Sequence, residues 1–344
     1  AHVNAEDAMR HGAQVRTYHV VKALVREGDR VTGAVCENMR TGEDVHIHTS
    51  YIINAAGAWA GKIAELAGLK VTVVPGKGTM VAMNHRVLNT VVNRCKPPAD
   101  GDIIVPIRTV AVIGTTDVPY TDDPANVAIE QEESEYLCQL VSEYFNKPVT
   151  TQDIVWTYSG VRPLYDDDSD NPSAVTRDYV FSLRHDNGQT PVLSIFGGKI
   201  TTYRQLALHA IRDLAPFFKF RAKAQELAPL PGGDIGDFNE FLASLQLRNP
   251  WLPARMAKRL ARAYGGRVNE ILRGATSLAD LGQHFGADLY QREVEFLVAK
   301  EWARSAEDIL WRRSKLGLHL NADQVQIFDD WFQANIGGLH TQTQ

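Results

Sequence analysis

Hydrophobic positions along the chain repeat with two different periods, and the changeovers mark its elements. Residues 4–12, NAEDAMRHG, read as the end of a helix, closed by Gly12 where a left-handed residue is well tolerated. Three extended runs follow at 15–25, 31–37 and 45–54, joined by REGDR and RTGE turns, so a three-stranded meander is expected. The third run ends in YIINAAGAWA and passes straight into a helix reading GKIAELAGL. Between 71 and 119 the pattern is β-rich, with strands expected at 71–74, 79–83, 103–106 and 110–114. Residues 130–145 predict an amphipathic helix: Leu137, Leu140, Val141 and Tyr144 share a face, and Glu130, Glu132 and Glu133 load its N-terminal end. Strands at 154–159 and 180–183 precede the short apolar run 192–196, which ends in Gly197-Gly198-Lys199 and a helix over 201–214.

Composition shifts at 228–233, APLPGG, beyond which everything reads as helices separated by Gly and Pro. Together with the pattern changes this divides the chain into 1–70, 71–155, 156–227 and 228–344. The net charge of −5 is spread over interspersed charges of both signs, which excludes a field that would recruit nucleic acid. No apolar run approaches the roughly 20 residues of a membrane span, and the N-terminus has no signal-peptide pattern. It lacks an initiating Met and starts in mid-helix, which points to a fragment or a cleaved product. Cys36, Cys95 and Cys138 form no CxxC pair, so reduced thiols are expected and no metal site. The acidic run 166–171 fails as a calcium loop, with Asn171 where Gly is needed and Arg177 where Glu is needed, and reads as solvated loop.

Two strand-to-helix junctions carry the candidate chemistry. Ala55, Ala56 and Gly57 follow the strand ending at Asn54, and Gly197 and Gly198 lead through Lys199 to Thr201 and Thr202. Small residues there admit a ligand or another backbone, and the following helix start offers unpaired N–H groups to an electron-rich edge. The same glycines would equally serve helix-on-strand packing. Arg162, Arg177 and Lys199 form a second constellation of cations suited to an oxyanion, or singly to surface ion pairs.

The stretch 156–204, with GVRPL, TRDY and GGKITTYR, closely resembles the bacterial FAD-dependent, quinone-linked glycerol-3-phosphate dehydrogenases of the D-amino-acid-oxidase-like superfamily. IINAAGAWA, IGTTD at 113–117 and EWARSAEDILWRRSKLGLHL fit the same family in the same order. The resemblance implies an α+β fold: part of a glutathione-reductase-like FAD-binding domain in 1–70, an antiparallel-sheet substrate domain in 71–155, a return to the cofactor and active site in 156–227, and an all-helical domain in 228–344. It implies hydride transfer from C2 of glycerol 3-phosphate to FAD, giving dihydroxyacetone phosphate. Arg162, Arg177 and Lys199 would hold the substrate, with Arg162 or Lys199 stabilising the developing alkoxide and Thr116 near the flavin face. Ala55, Ala56, Gly57, Gly197, Gly198, Thr201 and Thr202 would line the cofactor, and Val20 and Val21 would pass its adenine. A cytoplasmic protein, peripheral on the inner face of the membrane and handing electrons to quinone, is implied, with a homodimer left open.

One departure from the family pattern bears on the cofactor. No GxGxxG opens a helix after a strand, and Gly76-Lys77-Gly78 lies between strands, so the chain is expected to lack the diphosphate-binding segment, to bind FAD weakly or not at all by itself, and to be inactive alone. The alternatives are a glycerophosphate, amine or amino-acid oxidase of the same superfamily, and a non-catalytic scaffold or binding module. Three cations suit a phosphate dianion better than a carboxylate. At 252–264 Leu252, Met256, Leu260 and Tyr264 oppose Arg255, Lys258, Arg259 and Arg262, a helix that could lie on an anionic membrane or pack conventionally.

Overall fold

The computed structural model describes residues 2–28, 30–68, 73–86, 89–96, 100–107, 110–145, 148–165, 178–184, 192–217 and 228–337. The acidic run 166–171 and Arg177 lie outside the described residues. The chain forms two compact units, one of Ala1–Thr17 with Lys223–Gln344 and the other of Tyr18–Ala222.

Helix α1 (His2–Arg10) ends at Gly12, whose φ of +95° is the left-handed terminus its sequence anticipates. The sequence pattern grouped this helix with residues up to 70. It belongs instead to the unit holding the C-terminal helices, where Glu6 pairs with Arg267 at 3.1 Å and the His2 ring lies 4.5 Å from that of Trp302.

In the second unit β1 (His19–Glu27), β2 (Arg30–Asn38) and β3 (Asp44–His48) make the expected antiparallel meander. The run expected as one strand over 45–54 is broken. The Thr49 hydroxyl donates to the Tyr51 carbonyl at 2.9 Å and accepts from the Tyr51 amide at 3.3 Å, closing a local turn in place of the ladder. The next strand, β4 (Ile52–Asn54), therefore leaves the meander and runs through a short turn into α2 (Ala60–Leu66).

The largest sheet uses β5 (Val73–Met83), β6 (Val92–Lys96), β7 (Asp100–Ile107), β8 (Val110–Gly114) and β9 (Val118–Pro119). Gly76-Lys77-Gly78 does not interrupt β5, as its glycines suggested. It stays extended along β10 (Ile154–Tyr165), with Gly76 opposite Arg162 and Gly78 opposite Gly160. The order is β10-β5-β8-β7-β6 with β9 on β5, antiparallel throughout.

Helix α3 (Gln131–Tyr144) covers this sheet, its first turn closed by a reciprocal cap between Glu130 and Glu133. Leu137, Leu140 and Val141 meet Val81, Met83 and Ile113 in a water-excluded layer. Each such side chain contributes about 1.5–3 kcal/mol, and Leu137→Ala would cost about 2–5 kcal/mol.

A third sheet pairs β11 (Val180–Arg184) antiparallel to β12 (Val192–Phe196), and β12 parallel to β4. After β12 comes α4 (Tyr203–Leu214).

The other unit holds α5 (Phe238–Arg248), α6 (Ala254–Tyr264), α7 (Val268–Ile271), α8 (Gln291–Glu301) and α9 (Ala322–Phe332) around one large apolar core. It is not wholly helical, because β13 (His284–Gly286) and β14 (Leu289–Tyr290) form a hairpin. Its corner, Ala287-Asp288, has φ of +49° and +66° without a glycine, and Phe285 is held 4.9 Å from the rings of both Phe328 and Trp331. Tertiary packing imposes a turn that local sequence does not advertise. In α6 the apolar face is buried as expected. Its basic face is partly consumed within the unit: Arg259 donates twice to Glu293 at 2.6 Å and Arg255 reaches Asp288 at 3.2 Å.

Candidate active site

Because β4 and β12 are parallel neighbours, with Asn54 opposite Ser194, the turns after them leave the same end of the sheet. Asn54 and Ser194 lock that arrangement. The buried Asn54 amide donates to the Ser194 hydroxyl at 3.1 Å and to the Ala60 carbonyl at 2.8 Å, while its oxygen accepts from the Ala56 amide at 3.3 Å.

Gly57 has a φ of +58°, and a Cβ there would meet nothing within 4 Å, so the turn opens onto free space. Gly197 and Gly198 have φ of +68° and +90°, and a Cβ on Gly197 would lie 2.8 Å from the Asp178 carbonyl oxygen. A side chain at either position is strained. Beyond them Lys199 caps a short turn: its carbonyl accepts from the Thr202 amide at 3.0 Å and the Thr202 hydroxyl at 3.1 Å. One short helical turn, Ile200–Thr202, thus separates the glycine turn from the start of α4, and no described residue pairs with the Lys199 ammonium. Ile53 and Ile200 stay 50% and 79% exposed beside these turns, apolar surface that a planar ring could cover. The turns fit the ring end of a flavin: close backbone approach, small residues, and helix-start N–H groups for an electron-rich edge. For the diphosphate the 344 residues contain no GxGxxG.

Strand β10, which carries Arg162, passes the glycine turn with its backbone. The carbonyl of the next residue, Pro163, lies 3.8 Å from where a Gly197 Cβ would be. The guanidinium is held before any ligand arrives: Nη1 donates to Asp117 Oδ1 at 2.9 Å and Nη2 to Thr115 Oγ1 at 3.1 Å. It crosses Gly78 so closely that a Cβ there would meet Nη2 at 2.4 Å. These bonds use two of the five N–H groups that an arginine carries, and among the described residues the others are left for an incoming oxyanion. Asp117 offsets part of the guanidinium charge.

Beneath this platform is a closed ion cluster. Lys77 is 1% exposed, with Nζ 2.7 Å from Glu130 and 2.9 Å from Glu133, and it also donates to the Ala128 carbonyl at 3.5 Å. Glu133, likewise buried, accepts from the Thr116 hydroxyl at 2.6 Å and the Glu130 amide at 3.0 Å. Burial alone would push the Glu133 carboxyl up. The bonds from Thr116, the Glu130 amide and Lys77 outweigh it and hold the group below its ordinary range. Burial likewise opposes the charge on Lys77, but the two carboxylates raise its pKa overall.

Several expectations move on this geometry. Thr116 does not present its hydroxyl outward: it is buried, donating to Glu133 and accepting from the Thr79 amide at 2.9 Å, while its neighbours Thr115 and Asp117 face Arg162. Ala55, Ala56, Gly57, Gly197, Gly198, Thr201 and Thr202 fall at the two adjoining turns. Val20 and Val21 lie on β1, an edge strand of the meander among the described residues, with Val20 exposed. Sequence reasoning missed Thr115, Asp117, Asn54, Ser194, Lys77 and Glu133. The available signals were the position of Thr115 and Asp117 on either side of Thr116, and a lysine framed by glycines inside a strand.

The chain matches the model of the family described as FAD dependent oxidoreductase over residues 1–204, and that of the C-terminal domain of alpha-glycerophosphate oxidase over 225–330. It is 37% identical over 335 residues to the aerobic glycerol-3-phosphate dehydrogenase of Escherichia coli (strain K12), a match spanning 95% of this chain and 67% of that protein. It is also 37% identical over 353 residues to the D-erythritol 1-phosphate dehydrogenase of Brucella abortus (strain 2308), spanning 96% and 67%. The chain thus spans about two thirds of the length of these relatives. Among solved structures, the glycerol-3-phosphate dehydrogenase from Bacillus halodurans complexed with FAD shares its fold, with a TM-score of 0.82 at 22% identity, over 99% of this chain and 68% of that one. The chain belongs to the FAD-dependent oxidoreductase family.

Proposed function

We propose that this chain is the substrate-side and C-terminal part of an FAD-dependent dehydrogenase that oxidises sn-glycerol 3-phosphate at C2 to dihydroxyacetone phosphate. The observation that carries the reading is Arg162, held by Asp117 and Thr115 on the strand whose Pro163 carbonyl lies beside Gly197. Bound FAD supplies the acceptor for the hydride that leaves C2. Arg162 and Lys199 bind the phosphate and orient the carbinol, and one of them stabilises the alkoxide as the C2 hydroxyl loses its proton. Arg177 is a third cation of this proposal, and Thr201 and Thr202 its contact to the pyrimidine edge. Val20 and Val21 would contribute backbone contacts to the adenine.

The Brucella relative gives a second reading, a longer polyol phosphate, because it matches this chain at the same identity as the glycerol 3-phosphate enzyme. Quinone as acceptor, a homodimer and peripheral contact with the inner face of the membrane belong to the same proposal. No helix among the described residues is long and apolar enough to cross a membrane. With Arg255 and Arg259 engaged inside their unit, contact through α6 would rest mainly on Lys258 and Arg262.

The test is anaerobic addition of glycerol 3-phosphate to the full-length, FAD-loaded protein while its visible spectrum is followed. Bleaching of the flavin band supports the proposal. A band that bleaches only with D-erythritol 1-phosphate selects the second reading. A band that bleaches only with amino acids or amines sinks both.

A further inference from the structure

We propose that Lys77, Glu133 and Thr116 act as a positioning relay that sets the orientation of Arg162 from beneath the sheet. The inference rests on the reading of Arg162 as an oxyanion-binding residue. Its basis is how three consecutive residues divide their side chains. Thr115 and Asp117 both turn to the guanidinium, at 3.1 and 2.9 Å, whereas Thr116 between them turns inward and is gripped at two points. One grip is the Glu133 carboxylate at 2.6 Å, the other the Thr79 amide at 2.9 Å. Glu133 is in turn fixed by Lys77 at 2.9 Å, and Lys77 is immediately followed by Gly78, the residue over which Arg162 lies.

Both walls of the Arg162 seat therefore flank one buried hydroxyl, whose residue is also tied down by its own amide, which donates to the Thr79 carbonyl at 3.3 Å. If Thr116 shifts, neither Thr115 nor Asp117 can keep its distance to the guanidinium. A pair that served only to join α3 to the sheet would need no hydroxyl between the residues that hold Arg162. The GKG segment, which fits no phosphate loop, acquires a role: its lysine anchors the loop and its second glycine leaves the space for the arginine. None of these groups is placed to touch substrate, so all three are positioning residues.

The experiment is a double-variant cycle on the full-length, FAD-loaded enzyme. It combines Thr116→Val and Thr116→Ser with Arg162→Ala and reads glycerol 3-phosphate KM and kcat, inorganic phosphate Kd by calorimetry, and the melting temperature. Thr116→Val is expected to weaken phosphate binding and raise KM about tenfold, with a smaller effect on kcat. Thr116→Ser, which keeps the hydroxyl, should restore most of this. On top of Arg162→Ala the valine should add less than about twofold, because the residue it positions is gone. If the valine variant does not fold, Glu133→Gln, which keeps the shape and leaves Lys77 its Glu130 partner, carries the same cycle. Losses that multiply, or a folded Thr116→Val or Glu133→Gln enzyme that binds phosphate like the wild type, overturn the relay. Phosphate affinity unmoved by Arg162→Ala overturns it as well. A wild type that binds phosphate through Arg162 but leaves glycerol 3-phosphate unoxidised defeats the functional reading and still tests the relay.

Discussion

The two units bury a cation between carboxylates in contrasting ways. In Tyr18–Ala222 the Lys77 ammonium meets two carboxylates and a carbonyl, and Glu133 has an amide, a hydroxyl and the ammonium. In the other unit Arg267 reaches Glu6 at 3.1 Å and Glu301 at 3.3 Å through one nitrogen, while Nε and Nη2 have no hydrogen-bond partner among the described residues. Its guanidinium lies 4.7 Å from the centre of the Phe296 ring, a softer contact. Burial pushes Glu301 up, only partly countered by Arg267 and Arg313. Both cations are taken out of water; Lys77 has an acceptor oxygen within 3.5 Å for each of its three N–H groups, whereas Arg267 does not. A buried ion cluster is rigid where its bonds are complete, and only the complete one adjoins the residues that hold Arg162.

The comparison breaks most visibly at Lys77. Lys77→Met leaves Glu133 charged and deprived of its cation, and should cost about 3–5 kcal/mol in urea unfolding of that unit. A loss below about 1 kcal/mol would mean the cluster is not the rigid one.

Next in size is the response to acid. The folded-state pKa of Glu133 is depressed, so its stabilisation is complete above the ordinary glutamate value of 4.5 and is lost as pH falls through the lower folded value. The stability gap between wild type and Glu133→Gln should therefore hold steady down to pH 4.5 and close only below it. A gap that narrows at higher pH contradicts the assignment.

Smaller is Gly78→Ala. Its Cβ would come nearest to the end of the Arg162 side chain and the Thr115 hydroxyl, so the fold should survive while phosphate affinity drops about tenfold, or about 1.4 kcal/mol. Calorimetry beside a melting curve separates the two effects.

The smallest effect belongs to Glu301→Gln, within about 1 kcal/mol of wild type at neutral pH. Because the folded-state pKa of Glu301 is raised, its charge costs stability above that value, and the cost is released as pH falls through it toward 4.5. Relative to the glutamine variant, the wild type should gain stability over that interval, opposite in sign to Glu133.

Much of this was legible in the residues. Periodicity located α3, the meander, the apolar strand 192–196 and the helix after it, since each is amphipathic or continuously apolar over its length. The split between β3 and β4 was not, because Thr49 closes its turn with a side-chain hydroxyl where no glycine or proline marks one. Nor was the hairpin at 284–290, whose corner is forced by aromatic packing on α9. Motifs pointed to Arg162, Lys199 and the two glycine turns. They could not show that Thr116 faces inward, because a threonine between two polar neighbours in a loop carries no periodic signal. Only the pairing of β5 with β8 and the cover of α3 settles that direction.

The helix His2–Arg10 belongs to a unit whose remaining residues begin at Lys223. Seen from the ribosome, this helix therefore emerges long before the residues it packs with. His2–Arg10 must wait for the residues that follow Lys223. At about 5–20 residues per second that delay is roughly 10–40 s. For that interval Glu6 and His2 have neither Arg267 nor Trp302 to meet. His2–Arg10 thus emerges well before the partners that hold it and is placed only after they follow.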